Sequence, residues 1–72
     1  MEKKILYIIQ NQEGKFYKNN MGYPHFITDF EFAERYDSEE SVKNFLRSEY
    51  VTEKFKKEFE YCIYRKLIIM IE

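Results

Sequence analysis

The chain has 72 residues, a net charge of −1, a pI near 5.9 and 19% aromatic residues against a single Ala. A chain this short buries only about 60% of the surface its unfolded form exposes, so one thin-margined domain is expected, with a core built from large rings. Cys62 is the only cysteine, which excludes an intramolecular disulfide framework, and the apolar runs Ile5–Ile9 and Leu67–Ile71 are too short for a signal-peptide core or a membrane span. A reducing, cytoplasmic setting is the expectation.

Lys4 to Gln10 is a β-rich run, Asn11-Gln12-Glu13-Gly14 is a turn with Gly14 suited to positive φ, and Lys15 to Lys18 resumes the extended chain. These three pieces predict a hairpin. Asn19-Asn20-Met21-Gly22 forms a second turn cluster, and Pro24 opens a short extended stretch through Phe26 and Ile27, where a missing N–H is tolerable. Thr28-Asp29-Phe30-Glu31 has the S/T-x-x-E form of a capping box and predicts a short helical turn through Ala33. Asp37-Ser38-Glu39-Glu40 repeats that logic with Asp37 as the cap. Val42, Phe45, Leu46 and Glu49/Tyr50 follow at helical spacing, which predicts a helix over residues 38–50.

Residues 52–72 carry two signals, because Phe55, Phe59, Cys62, Ile63, Leu67 and Met70 fit one helical stripe while 61–64 and 67–71 are rich in β-branched and aromatic residues. The β-branched and aromatic density favours a helical turn at 53–58 and a strand at 61–71. The fold class is therefore a single α+β domain spanning 1–72. Its N-terminal hairpin and C-terminal strand make a small antiparallel sheet, one main helix packs on one face, and the order is ββ(β)αβ. In the first and last strands both parities are apolar: Ile5/Tyr7/Ile9 with Leu6/Ile8, and Leu67/Ile69/Ile71 with Ile68/Met70. One helix covers one face, so the second must meet a loop, a partner, or another copy in a homodimer, with Ile68 and Met70 or Leu6 and Ile8 at the seam.

Catalytic signals are weak. The only histidine, His25, sits between Pro24 and Phe26 with no sequence-adjacent nucleophile, and Cys62 lies in an apolar β run where a buried thiol is the ordinary reading. One His and one Cys do not make a structural zinc site, two isolated glycines do not make a phosphate loop, and no cofactor is implied. The chain is expected to bind rather than to catalyse.

Charge is distributed unevenly. Residues 29–53 carry eight acids and three bases, whereas the flanking thirds are each net basic by two. Between Asp29 and Glu40 lie six carboxylates among twelve residues, interleaved with Phe30, Phe32 and Tyr36. That composition suits docking on a basic groove with rings as anchors, which makes Asp29, Glu31, Phe32, Glu34, Tyr36, Asp37, Glu39 and Glu40 the candidate partner-binding residues. A solvated helix start and loop is the plain alternative. Lys15-Phe16-Tyr17-Lys18 and Lys54-Phe55-Lys56-Lys57 also interleave bases with rings, as nucleic-acid surfaces do, yet the acidic middle third opposes a polyanion and direct nucleic-acid contact is disfavoured.

Ile, Lys, Asn, Tyr and Phe, all with AT-rich codons, make up 35 of the 72 residues, and Ala, Gly, Pro and Arg only 7. That composition resembles proteins of low-GC Gram-positive bacteria and their phages. The layout YIIQNQEGKFYK, then FITDFEFAERYDSEESVKNFL, then a C-terminal strand is similar to small phage- and prophage-encoded accessory proteins. The shared element is an extended segment, a capped turn with an Ala (Ala33), an aromatic (Tyr36), and an acid-capped helix ending in Phe45 and Leu46. The resemblance implies a stoichiometric inhibitor of host defence, anti-CRISPR-like, whose partner is a nucleic-acid-handling effector such as a Cas protein. The alternative is a small dimeric nucleic-acid-binding or regulatory protein using Lys15, Lys18, Lys54, Lys56 and Lys57.

Overall fold

The computed structural model describes residues 2–71. Four antiparallel strands, β1 (Glu2–Gln10), β2 (Phe16–Asn20), β3 (Tyr23–Ile27) and β4 (Ile63–Ile71), form one sheet in the order β3-β2-β1-β4. Both tight turns follow from residue chemistry. The Asn11 side chain accepts N–H bonds from Glu13 and Lys15 at 3.0 and 2.8 Å while Gly14 takes φ 84°. In the second turn Met21 and Gly22 both have positive φ, the twist-matched two-residue hairpin, and Asn19 Oδ1 accepts from Gly22 N–H.

Pairing within the sheet is lopsided. β1 and β4 match from Glu2 with Ile71 to Gln10 with Ile63, and β2 and β3 match over all five residues. Between β1 and β2 the pairing stops at Gln10 with Phe16, beyond which the hairpin splays. The gap is filled by the segment after β3. Tyr7 and Tyr36 exchange both backbone hydrogen bonds at 2.9 Å, and Glu34 N–H donates to the Tyr17 carbonyl at 2.9 Å. Every amide named here thus finds a partner, as backbone groups inside a sheet must.

Four local expectations shift by a few residues. The helical turn after β3 is a three-residue 3₁₀ turn, Phe30–Phe32, capped by Asp29 rather than Thr28, because a turn this short is closed by an Asx bond two residues on, from Glu31 N–H to Asp29 Oδ1 at 3.0 Å. The main helix, α1 (Glu39–Arg47), is capped by Ser38 rather than Asp37, since it is the Ser38 hydroxyl that reaches the Ser41 N–H three residues on. It ends short of residue 50 because Ser48 takes the Phe45 carbonyl with both its hydroxyl (2.6 Å) and its N–H (3.0 Å) on an extended backbone. The chain then makes a single π-turn at Tyr50–Lys54, earlier than the expected 53–58. β4 begins at Ile63 instead of 61 because Tyr61 has φ 66°, which is incompatible with an extended strand.

α1 and the π-turn pack on the sheet face that carries Ile9 and Tyr17. Ile9, Tyr17, Val42, Val51 and Phe59 are buried together, with Phe45 and Leu46 packed against them. Rings carry this layer: Tyr17 stacks on Phe45 at 5.3 Å and meets Phe59 edge-on at 5.0 Å, and Phe45 meets Phe59 at 5.7 Å. Such pairs add about 0.5–1.5 kcal/mol each beyond area burial. The Tyr50 hydroxyl donates to the Gly22 carbonyl at 2.9 Å and ties the β2–β3 turn to this layer. No helix among the described residues is long and apolar enough to cross a membrane.

Candidate functional site

Leu6 and Ile8 have the opposite parity to Ile9, so they point away from α1, and yet they are buried. The segment that begins at Asp29 runs over this face. The Phe30 ring meets Phe16 at 6.4 Å, and Lys18 Nζ donates to the Phe32 carbonyl at 3.3 Å. Phe16 and Lys18 share the parity opposite to Tyr17, which places this part of the segment on the face away from the helix. The chain then enters the split between β1 and β2 at Ala33 (buried) and Glu34. It emerges on the helix side, where the Tyr36 ring lies 5.6 Å from Phe45. A single short stretch therefore crosses from one face of the sheet to the other.

The crossing fixes a knuckle at Asp29–Phe32. The Asp29 cap holds its start, 3₁₀ bonds from Phe32 N–H to Asp29 and from Ala33 N–H to Phe30 close it, and Arg35 Nη2 donates to the Glu31 carbonyl at 3.1 Å. Phe30 is 44% exposed and Phe32 61% exposed despite these restraints. The Lys18 ammonium sits 6.0 Å over the Phe32 ring, adding a cation–π contact to the hydrogen bond below it. Among the described residues the one ion pair joins Lys43 to Glu39 at 2.9 Å, which leaves the carboxylates of Glu31, Glu34, Asp37 and Glu40 without an ionic partner.

The predicted set is divided by the crossing. Asp29, Glu31 and Phe32 stand together on the face away from the helix. Asp37, Glu39 and Glu40 stand at the start of α1 on the other side of the seam, all exposed, with Glu39 and Glu40 complementing the helix dipole. Glu34 and Tyr36 lie between, each half-buried. The Tyr36 ring is spent on the core: desolvation pushes its phenol well above the ordinary value, and the negative charge of Glu34 adds to that. Tyr17, fully buried, is raised for the same first reason. Phe30 belongs with the knuckle as much as Phe32 does. Its exposure was not legible from the string, because a ring in a turn looks the same whether it points in or out.

The basic residues are dispersed as well. Lys18 supports the knuckle, Lys54 lies 5.4 Å over the Phe55 ring, and Lys56 and Lys57 line a shallow cavity of about 510 Å³ over Val51 and Phe59. Exposed apolar groups also appear where sequence gave no warning, Met21 (93%) and Tyr23 (63%) at the tip of the β2–β3 hairpin. His25 is exposed and within 3.3 Å of the Asn20 amide. Burial pushes the Cys62 thiol up to about 11, which keeps it neutral and unreactive near pH 7. Among the described residues no group of three or more His, Cys, Asp or Glu side chains is placed to hold a metal ion. Compared with protein-family models, curated proteins and solved structures, the chain matches none of them.

Proposed function

We propose that this protein is a non-catalytic, stoichiometric binder that docks its acidic and aromatic knuckle on a basic groove of a host protein. The partner class we propose is a nucleic-acid-handling defence effector such as a Cas protein, blocked in the manner of phage-encoded anti-CRISPR inhibitors. The observation that carries the reading is the knuckle itself: two exposed rings, Phe30 and Phe32, held on a turn restrained at both ends and flanked by the exposed carboxylates of Asp29 and Glu31. Interfaces draw most of their energy from a few rigid rings surrounded by steering charge, and a restrained turn loses little entropy on docking. The wholly solvated alternative leaves unexplained why Lys18 and Arg35 are both committed to holding this turn.

Inhibition of purified guide-loaded Cas nucleases, read with Glu31→Lys combined with Phe32→Ala, tests the proposal. Both side chains are exposed, so circular dichroism should be unchanged, and the loss of an anchor and its charge should weaken inhibition by about 2 kcal/mol or more, some thirtyfold. Lys56→Glu with Lys57→Glu is the matched control and should be nearly silent. A knuckle variant that inhibits as well as wild type removes this surface from the interface. Should the protein instead bind oligonucleotides, with affinity falling steeply as salt rises and with the lysine variant defective, the nucleic-acid reading replaces this one.

A further inference from the structure

The two edges of the sheet are built differently. β3 is five residues long, contains Pro24 and runs directly into the 3₁₀ turn, features that blunt an edge. β4 is nine residues long, has no proline, and keeps its charges, Arg65 and Lys66, in its first half. From Leu67 to Ile71 the free edge has five apolar residues in succession. This half of β4 pairs only with the start of β1, Leu67 with Leu6 through Ile71 with Glu2. Ile68 is 54% exposed, Met70 51%, Ile71 42% and Ile5 43%. Ile5, Ile68 and Met70 share one face of this ribbon, and Leu67, Ile69 and Ile71 the other. Two-stranded ribbons with apolar faces are marginal in water and become stable with three or more strands.

We infer that a second copy of this chain completes the ribbon, by antiparallel pairing of β4 with its own counterpart about a two-fold axis at Ile69. That register gives the longest wholly apolar self-pairing of the edge. Ile69 faces Ile69 of the second copy, Ile68 faces Met70, and Leu67 faces Ile71, so every pair is apolar and both faces gain an apolar neighbour. Arg65 and Lys66 fall outside the paired window. Centring the axis on Leu67 instead sets the two Lys66 side chains diagonally across the seam, about 7–8 Å apart, with both Arg65 residues inside it, and like charges at that spacing oppose pairing. The lysines on β1 do not interfere: Lys3 and Lys4 of one copy lie three strand spacings from those of the other, about 14 Å, beyond the Debye length of about 8 Å at physiological salt. The result is a continuous eight-stranded sheet with β1-β4-β4-β1 at its centre and the knuckles at its outer parts, which is an isologous arrangement.

Sedimentation equilibrium of the full chain up to high micromolar concentration should give twice the 9.0 kDa monomer mass. Register is tested by charge. Ile68→Lys with Met70→Lys opposes like charges twice across the axis and should be monomeric wherever wild type is dimeric, whereas Ile68→Glu with Met70→Lys pairs opposite charges twice and should restore the dimer. Cross-linking provides an arm that does not depend on those variants folding. In a Cys62→Ser background, Ile69→Cys faces its own copy at a Cα separation of about 4.5–5.5 Å and should oxidise to a covalent dimer, while Met70→Cys, which faces residue 68, should not. A wild-type chain that stays monomeric throughout overturns the inference, as does a doubly lysine-substituted chain that still dimerises. Cross-linking through residue 70 in preference to 69 overturns the register.

Discussion

The two faces of the sheet solve the same burial problem with opposite means. On the α1 face, a helix, a π-turn and the turns that follow it bring Phe45, Tyr50, Phe55 and Phe59 onto the layer of Tyr17 and Ile9, and ring contacts run continuously through it. On the other face, where Leu6 and Ile8 are buried, a single thin crossing, residues 29–36, meets Phe16 and Lys18 and leaves its own Phe30 and Phe32 half outside. The difference teaches where stability and display are separated in a very small domain. One face is thick enough to hold the fold, and the other can then present rings that a monomer ordinarily hides.

Four substitutions probe that separation. Phe59→Ala removes a buried ring that touches Tyr17, Phe26, Phe45 and Tyr50, and should cost about 3–5 kcal/mol, read as a fall in melting temperature of about 4–8 °C per kcal/mol in a domain of this size. A melt near wild type would show that the helix-side layer does not hold the fold. Ala33→Leu overfills the buried position where the crossing enters the seam and should cost about 1–3 kcal/mol, measured by urea denaturation. The comparison breaks if this change is as damaging as Phe59→Ala, because the thin face would then be equally essential. Smallest is the cap: Ser38→Ala should lose about 1 kcal/mol and Asp37→Ala distinctly less, and a reversed order would return the helix start to residue 37.

Much of the architecture was legible because it depends on near neighbours. Gly14 in its turn, the β-rich run of β1, the Val42/Phe45/Leu46 stripe and the β-branched and aromatic density of residues 61–71 are signals that read over a few positions. The caps were displaced by one residue each because adjacent Thr28/Asp29 and Asp37/Ser38 offer equivalent chemistry, and only the geometry of the following turn selects between them. The split of the β1–β2 hairpin was not legible. It arises because Tyr36 outcompetes β2 for the backbone of Tyr7, a contact between residues far apart in sequence. The acidic stretch was visible as composition, but its division between two faces follows from the same non-local contact.

By itself, the sequence determined the class and order of elements, the aromatic character of the core, the want of a disulfide framework and the clustering of acids between residues 29 and 53, because propensity, periodicity and charge are properties of the string. Tertiary structure decided which rings of that string are core and which are surface. Tyr36 went inward onto Phe45 while Phe30 and Phe32 stayed outside, and the apolar half of β4 was left as an open edge. The physical reason is that a side chain's burial is set by which backbone groups its segment must satisfy across the sheet, and those partners lie outside any local window.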